Sequence, residues 1–497
     1  MVVPMTLLNQ LNTLESSGLI QLATVQPELE YLFRHALIQE AAYGSLLKND
    51  RQRLHQSVGE ALEKLYPAHL DEHAAMLAYH FEKAAALKKA LHYLIRAGDY
   101  ASAGYANAEA IAFYQAALHL VEAAPEQATQ EDSRVQLAQL LEKLAEVTER
   151  SGQHETARAH FYRALELQTA DPLTAARLYR RIGVTHTIER HYPEAFRIWE
   201  KAESSLGTLT EQSDAALWRE WIELQVERFW ACYWLTALKE MDALCQQLLP
   251  LAERLGAPGQ RSRVWTVYTL YRFRLERYVV ADDVLVCAEK ARLAAEEAGQ
   301  IDLIFDTLFG PGFFRLFRRE LDAAEERLQQ AYACAQQMGD PLRIARAANY
   351  LMILARMRGH AAQVGAYFPI ILSTTWAGPM ADYTAQVKAS QAWLAWRNGE
   401  LATAKALGLE SLTMLNRAPV KFPFYWTTLG PLLAVALAET DLASAHDYAR
   451  QLLDPTQMRL PADLEQALEQ ALQTADEQAA QSKFAQVVAL MQSYGYL

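Results

Sequence analysis

Apolar and small residues recur along this chain at positions i, i+4 and i+7, which places them on one stripe of an α-helix. In most copies a small residue comes first, a larger residue follows four positions later, and a small or apolar residue follows three positions after that. The copies are Ala110-Tyr114-Ala117, Ala157-Phe161-Ala164, Ala195-Trp199-Ala202, Ala237-Met241-Leu244, Ala281-Leu285-Ala288, Ala324-Leu328-Ala331, Val364-Phe368-Ile371, Ala404-Gly408-Ser411 and Ala445-Ala449-Leu452. Their first residues lie 47, 38, 42, 44, 43, 40, 40 and 41 residues apart. This period predicts a helical repeat.

Turn signals precede most of these stripes by about five residues, as at Gly152, His191-Tyr192-Pro193 and Gly399. A helix of about fifteen residues is predicted before each turn, and a glycine there supplies a left-handed helix end. Each repeat is therefore predicted to be a first helix, a turn and a second helix. Because one such hairpin cannot bury both of its faces, stacked hairpins must share a continuous core. We expect about nine or ten helix pairs.

The segment Ser151 to Ala157, followed by Phe161, Ala164 and Leu165, resembles the tetratricopeptide repeat family. The resemblance covers residues 75–460 and implies an all-α, right-handed α-solenoid. Most repeats here exceed the family period of about 34 residues. They are similar to the longer repeats of bacterial signalling ATPases.

The N-terminal segment follows a different pattern. An amphipathic helix is predicted from Leu7 to Ser17, followed by strands at Leu19–Leu22 and Tyr31–Phe33 with a turn around Pro27. This order suggests the last part of a winged helix. We expect three regions: a winged-helix-like remnant with linker helices at 1–60, the superhelix at 61–460, and C-terminal capping helices at 461–497.

A second resemblance rests on several short strings, each quoted as it stands in this sequence. They are Phe33-Arg34-His35-Ala36-Leu37 through Tyr43, Arg53-Leu54-His55, Ala78-Tyr79-His80-Phe81, Ala97-Gly98-Asp99-Tyr100-Ala101 and Tyr105 to Ala110. Together they are similar to the segment after the ATPase module in STAND-type signalling ATPases and adenylate/guanylate cyclase-like proteins. The resemblance implies the C-terminal sensor part of such a protein.

The phosphate-binding motif of those ATPases is missing from this sequence. No G-x-x-x-x-G-K-[ST] occurs, and the dipeptide Gly-Lys is absent, so no P-loop lysine is available for the phosphates. A cyclase or ATPase core has no room before residue 5. We therefore predict no enzymatic activity and no cofactor.

The charge balance narrows the choice of partners and compartment. The chain carries 47 basic and 59 acidic residues, a net charge of -12, which excludes an overall basic footprint for nucleic acid. The four cysteines never approach CxxC spacing, and no apolar run reaches the length of about 18 residues that a membrane span needs. We expect a cytoplasmic protein that binds neither nucleic acid nor membrane.

His69-Leu70-Asp71-Glu72-His73 matches the H-x-x-E-H spacing of one zinc-protease class. On a helix, the two histidines would share a face and Glu72 could act as a general base. A zinc site also needs a third protein ligand, and the sequence singles out none. A zinc hydrolase is kept as a third alternative, and the preferred interpretation is an ordinary helix start without a metal.

Two groups of residues are candidate contacts. Arg34, His35, Arg53 and His55 lie in the ATPase-like segment and either contact an ATPase module, in cis or in trans, or pack structurally. The second group follows from the tetratricopeptide resemblance, which places certain first-helix positions on the concave surface. Those residues are Arg177, Arg180, Arg219, Arg263, Arg274, Arg346, Asn349, Arg356, Trp393, Trp396 and Arg397.

The arginines of the second group indicate a basic, aromatic-dotted groove, since arginine pairs with carboxylates and phosphates. Its occupant would be an acidic peptide, a protein segment or a phosphorylated ligand. In the other interpretation, these arginines pair with acids of neighbouring repeats. The favoured function is a non-catalytic interaction and sensor module of a bacterial signalling ATPase or cyclase system. The alternative is the small-molecule or peptide-sensing domain of a STAND transcriptional regulator.

Overall fold

The computed structural model describes residues 5–24, 30–123, 131–168, 171–375, 381–418 and 422–497. Within these ranges the chain forms 24 helices and one two-stranded sheet. The turn predicted around Pro27 lies outside the described residues. None of the described helices combines the length and the apolar character that crossing a membrane would require.

The elements follow one another in a nearly unbroken series of helices. They are α1 (Met5–Ser16), β1 (Ile20–Thr24), β2 (Glu30–Phe33), α2 (Ala36–Ser45), α3 (Lys48–Leu65), α4 (Ala74–Lys83), α5 (Leu87–Ala103), α6 (Asn107–Glu122), α7 (Glu131–Arg150), α8 (His154–Leu167), α9 (Pro172–Ile188), α10 (Tyr192–Leu206), α11 (Ala215–Leu235), α12 (Leu238–Leu255), α13 (Pro258–Leu275), α14 (Asp282–Ala298), α15 (Ile301–Phe317), α16 (Leu321–Met338), α17 (Pro341–Met357), α18 (Ala361–Thr375), α19 (Ala381–Arg397), α20 (Leu401–Arg417), α21 (Trp426–Ala438), α22 (Leu442–Leu452), α23 (Ala462–Gln473) and α24 (Glu477–Ser493).

The chain divides into two compact units. The N-terminal unit comprises residues 1–104 and 112–125, and the solenoid unit comprises residues 105–111 and 126–497. In the N-terminal unit, β1 and β2 form an antiparallel hairpin in which Ile20 lies opposite Phe33. The helix and the two strands lie where the hydrophobic pattern predicts them. The α2 helix buries none of its residues within the described structure.

The solenoid unit contains, within the described ranges, nine consecutive helix pairs from α7–α8 to α23–α24. A residue in the left-handed backbone conformation ends the first helix in most of these pairs. Glycine fills this position at Gly152 and Gly399, with φ of 80° in both. Gly359 fills it after α17, with φ of 74°, and in five other pairs a residue with a side chain does: Arg190, Thr236, Tyr278, Arg319 and Thr440.

The left-handed turn sets the start of the second helix. After Arg190, the amide of His191 donates to the carbonyl of His186 at 2.9 Å, which satisfies a free carbonyl at the end of α9. The first small residue of the stripe then follows five positions after the left-handed residue. Ala195 stands in this relation to Arg190, and Ala324 to Arg319, and both alanines are fully buried.

Two of the predicted stripes have the wrong register. The stripe predicted to begin at Ala237 begins at Met241, which is buried together with Cys245 and Leu248. The stripe predicted to begin at Ala281 is also wrong, since Ala281 is exposed and the buried residues start at Val284. In both pairs the left-handed residue is not glycine, so the sequence does not mark the end of the first helix.

The large residue of each stripe packs against the preceding first helix. Trp199 is fully buried, and its indole Nε1 donates to the Arg180 carbonyl at 3.1 Å. A Cβ atom at Gly183 would lie 2.1 Å from that nitrogen. Glycine at 183 is therefore required by the close approach of α9 and α10.

The solenoid unit also closes against itself over long stretches of sequence. Arg190 pairs with Asp382, 192 residues away, and Arg319 donates to the Tyr494 carbonyl, 175 residues away. Arg277 likewise donates to the Gln457 carbonyl. These three arginines have positive φ. Each of these side chains thus extends from a turn and joins helix pairs that lie about four to five repeat periods apart in the sequence.

Replacing Gly183 with alanine should lower the free energy of unfolding by about 1–3 kcal/mol, because the added methyl group collides with Trp199. Gly365→Ala is the matched control, since no atom lies within 4 Å of its added Cβ. That control should raise the stability by about 0.5–1 kcal/mol through helix propensity. Urea unfolding followed by circular dichroism measures both, and equal effects would contradict this packing.

Candidate ligand-binding cavity on the first helices

The first helices of five successive pairs line one cavity in the solenoid unit. They are α11, α13, α15, α17 and α19, and Ala288 and Ala291 of the second helix α14 complete the wall. Its lining residues are Trp230, Tyr233, Trp234, Thr266, Thr269, Leu270, Ala288, Ala291, Asp306, Thr307, Phe309, Gly310, Pro311, Phe313, Phe314, Arg346, Tyr350 and Tyr383. The cavity spans about 710 Å³ when the open solvent at its mouth is included, and about 60 Å³ of it is free for the centres of water-sized groups.

The repeat register explains why these side chains share one cavity. Trp230 precedes the stripe residue Met241 by 11 positions, and Phe313 precedes Ala324 by the same 11 positions. Likewise Asp306 precedes Ala324 by 18 positions, as Arg346 precedes Val364. Equivalent positions in successive repeats therefore face the same space.

The walls of the cavity are mainly aromatic. The rings of Phe309 and Phe313 stack with centroids 5.7 Å apart, and Tyr350 meets Phe313 edge to face at 4.7 Å. Burial raises the pKa values of Tyr233 and Tyr350 above the ordinary value for a phenol. Both hydroxyls therefore stay protonated at neutral pH and can donate hydrogen bonds.

Arg346 supplies a cation in the cavity. Its guanidinium lies over the rings of Trp230 and Phe309, at 5.7 and 5.3 Å from their centroids. Within the described residues, no carboxylate forms an ion pair with it. Burial raises the pKa of Tyr383, and a hydrogen bond from Arg346 opposes that rise.

Asp306 supplies an anion in the same cavity. Burial raises the pKa of its carboxyl group, and the nearby Arg343 and Arg346 lower it by less. In the described part of the chain, this carboxylate accepts no hydrogen bond and joins no ion pair. The cavity thus holds one cation and one anion that do not neutralise each other directly.

Several predicted groove arginines are already paired with acids. Nε of Arg177 lies 2.6 Å from a Glu142 carboxylate oxygen, and Nε of Arg180 lies 2.6 Å from a Glu220 oxygen. The guanidinium of Arg263 lies 3.3 Å from Glu223 and 3.0 Å from Asp302. These pairs correspond to the interpretation in which the inner arginines bind acids of neighbouring repeats.

Besides the paired Arg180, four predicted groove residues are buried. Arg274, Asn349, Arg356 and Trp393 all expose 5% or less of their surface. The guanidinium of Arg356 donates to the carbonyls of Thr427 at 2.6 Å and Tyr496 at 3.1 Å. This arginine thus joins α17 to the first turn of α21 and to the C-terminal segment.

The three remaining groove residues lie away from the cavity. Arg219 is exposed and donates to the Leu255 carbonyl. Trp396 and Arg397 line a separate surface cleft beside the chain's C-terminal residues. Of the predicted groove residues, Arg346 lines the aromatic cavity. The sequence analysis missed Trp230, Trp234 and Asp306. Trp230 and Asp306 already stood at inward offsets from their predicted stripes, and a correct register would have added Trp234.

The candidate module contacts differ in exposure. Arg34, His35 and Arg53 are exposed, whereas His55 is buried. His55 Nδ1 lies 3.0 Å from Nδ1 of His80, and its Nε2 lies 3.0 Å from the Tyr43 hydroxyl. Burial lowers the pKa values of both histidines, and the Lys83 charge lowers that of His55 further.

The zinc-protease-like segment does not form the predicted helix. His69 to His73 lies in turns before α4, and His69 contacts Glu72 at 3.0 Å. In the described structure, no third metal-ligating side chain joins them. The described residues do gather His186, Glu189 and His191, but Arg158 already binds both Glu189 oxygens, at 2.7 and 3.1 Å.

Comparisons of the sequence with known proteins give one partial match. No protein-family model matches the chain. Over 116 residues it is 35% identical to an uncharacterized protein of Rhizobium meliloti (strain 1021), and this match covers 23% of the chain but only 11% of that protein's length. The chain therefore spans a small part of this relative.

Two solved structures resemble the chain. A Rap protein complexed with competence and sporulation factor matches with a TM-score of 0.50 and 11% identity, over 76% of this chain and 98% of that one. A STAND protein with a tetratricopeptide repeat sensor from Pyrococcus horikoshii gives a TM-score of 0.33 and 15% identity, over 87% and 66%. The first likeness shows the fold alone and confirms the predicted tetratricopeptide-like α-solenoid.

The histidine pair predicts a pH dependence of stability. An unfolded histidine titrates near pH 6.5, and burial lowers the pKa values of His55 and His80 below that. The unfolded chain therefore binds more protons below about pH 6.5, and stability should fall as the pH drops from about 7.5 to 5.5. Urea unfolding of His80→Gln should show a weaker fall. The exposed control His69→Gln should match the native chain, and identical profiles for all three would refute the assignment.

Proposed function

We propose that this chain is a non-catalytic interaction and sensor module that binds a ligand or a partner segment in the aromatic cavity. The observation that carries the proposal is the cavity itself, whose aromatic walls hold Arg346 and Asp306 without a direct ion pair between them. Pockets with apolar walls and a few convergent polar groups are the usual binding sites of proteins.

The fold supports this role. First helices of a solenoid form an extended inner surface, which repeat proteins use for binding. The Rap protein with the similar fold was crystallised in complex with competence and sporulation factor. By analogy with that complex, we assign the present cavity to ligand or partner binding.

We further propose that the module works with a signalling ATPase or nucleotide cyclase module, in cis or in trans. The resemblance of residues 33–110 to STAND-type ATPases supports this. The exposed side chains of Leu37 and Leu47, 77% and 74% accessible, provide apolar surface in the same N-terminal unit as the exposed Arg34 and His35. The much greater length of the Rhizobium relative is consistent with a multi-module setting.

The alternative is the small-molecule or peptide-sensing domain of a STAND transcriptional regulator. The partly enclosed cavity favours it, because an enclosed apolar pocket suits a small ligand better than a folded partner. In both versions the protein is cytoplasmic. The four free cysteines of the described structure fit a reducing compartment.

Filling the cavity should abolish binding. Thr266→Phe places a large ring in the cavity, and it orphans no partner because the Thr266 hydroxyl donates to the Ser262 carbonyl of its own helix. The tagged protein would be isolated from the cells that make it. Mass spectrometry of the material released on unfolding should find a compound or peptide that the variant lacks.

Thr413→Phe is the matched control. Thr413 is exposed on α20, and its hydroxyl also donates to the carbonyl four residues earlier, that of Leu409. This control should carry the same bound material as the native chain. Equal amounts on Thr266→Phe and on the native protein would contradict binding in the cavity.

A further inference from the structure

We infer that the cavity selects a short zwitterionic ligand, an apolar amino acid or peptide with free ends. Its carboxylate would bind Arg346, its ammonium group would bind Asp306, and its apolar side chains would lie between the aromatic walls. This inference rests on the proposed function and specifies the ligand of the same site.

Arg346 has the donors that a carboxylate needs. A guanidinium donates hydrogen bonds in its own plane, so the rings of Trp230 and Phe309 leave available the donors that do not bind Tyr383. The nearby Arg263 and Arg343, in contrast, hold Asp302 at 3.0 Å and Asp340 at 2.5 Å. Among these three arginines, Arg346 is therefore the one that can bind a ligand's carboxylate without breaking an ion pair.

The Asp306 carboxylate has no paired cation in the described part of the chain. The cations that lower the pKa of its carboxyl group are Arg343, Arg346 and Arg263, and burial outweighs them. Arg343 and Arg263 are bound to other acids. Asp306 is partly exposed at the cavity, and its carboxylate lies among aromatic walls without a paired cation, so an ammonium group from the ligand would supply the missing partner.

The charges of Arg346 and Asp306 together favour one class of ligand over the others. An acidic or phosphorylated ligand would satisfy Arg346 but would bring more negative charge next to Asp306. A purely cationic ligand would satisfy Asp306 but would bring more positive charge next to Arg346. A zwitterion satisfies both groups and leaves the cavity neutral, so the cavity favours it over the acidic ligand that the arginine pattern predicted.

The size of the cavity limits the length of the ligand. About 60 Å³ of the cavity is free for the centres of water-sized groups, and its mouth is open to solvent, so a ligand longer than one residue would extend through the mouth. Free amino acids and short peptides share the same end groups. The experiment must therefore distinguish the two sources.

Titration calorimetry with defined probes tests the inference. The probes are L-phenylalanine, phenylalanyl-leucine and leucyl-phenylalanyl-leucine, each with free ends, with an acetylated amine and with an amidated carboxylate. A free-ended probe should bind with Kd of about 1 mM or tighter, and each cap should weaken it about 10-fold or more. The length that binds most tightly identifies the source as a free amino acid or a peptide.

Two variants assign the charges. Arg346→Gln should bind free and amidated probes equally, and Asp306→Asn should bind free and acetylated probes equally. Arg346→Lys should restore part of the preference for a free carboxylate, and Arg177→Gln, which removes a paired arginine outside the cavity, should behave like the native chain. Circular dichroism verifies that each variant is folded.

The inference is overturned if no free-ended probe binds at about 1 mM, or if capped and free probes bind equally well. Neither result affects the proposed function. That proposal fails only if Thr266→Phe retains the material bound to the native protein.

Discussion

The left-handed residue at the end of most first helices is the constraint on which the solenoid depends. It ends one helix and starts the next, and the buried small residue follows five positions later, as Ala195 follows Arg190. That offset fixes which first-helix positions face inward. Trp230, Asp306 and Arg346, from three different repeats, reach one cavity because each lies a set number of residues before its stripe.

In some of these turns an arginine both ends the first helix and contacts a residue far away in the sequence. A side chain in the left-handed region costs about 1 kcal/mol or more relative to glycine, and at Arg190 the ion pair with Asp382 offsets this cost. The Arg190 guanidinium also lies 4.5 Å from the centroid of Trp234, and Asp382 precedes Tyr383. Trp234 and Tyr383 both line the cavity, so the contact that joins distant repeats also supports the cavity wall.

The sequence was informative wherever glycine or proline marked a turn. The all-α fold, the approximate number of helix pairs and the N-terminal hairpin all followed from periodicity and turn residues. The register failed at Thr236 and Tyr278, where an ordinary residue takes the left-handed conformation. Because inward positions are counted from the stripe, that error hid Trp234. Nor can spacing show which arginines are paired, since the partner of Arg180 is Glu220, 40 residues away.

An experimental structure of the protein crystallised with phenylalanyl-leucine would test the central claim most directly. The account predicts electron density in the aromatic cavity that contacts Arg346 at one end and Asp306 at the other, with Trp230 and Phe309 still covering the guanidinium. A cavity closed by a direct ion pair between Arg346 and Asp306, or a peptide bound elsewhere while the cavity stays empty, would contradict it.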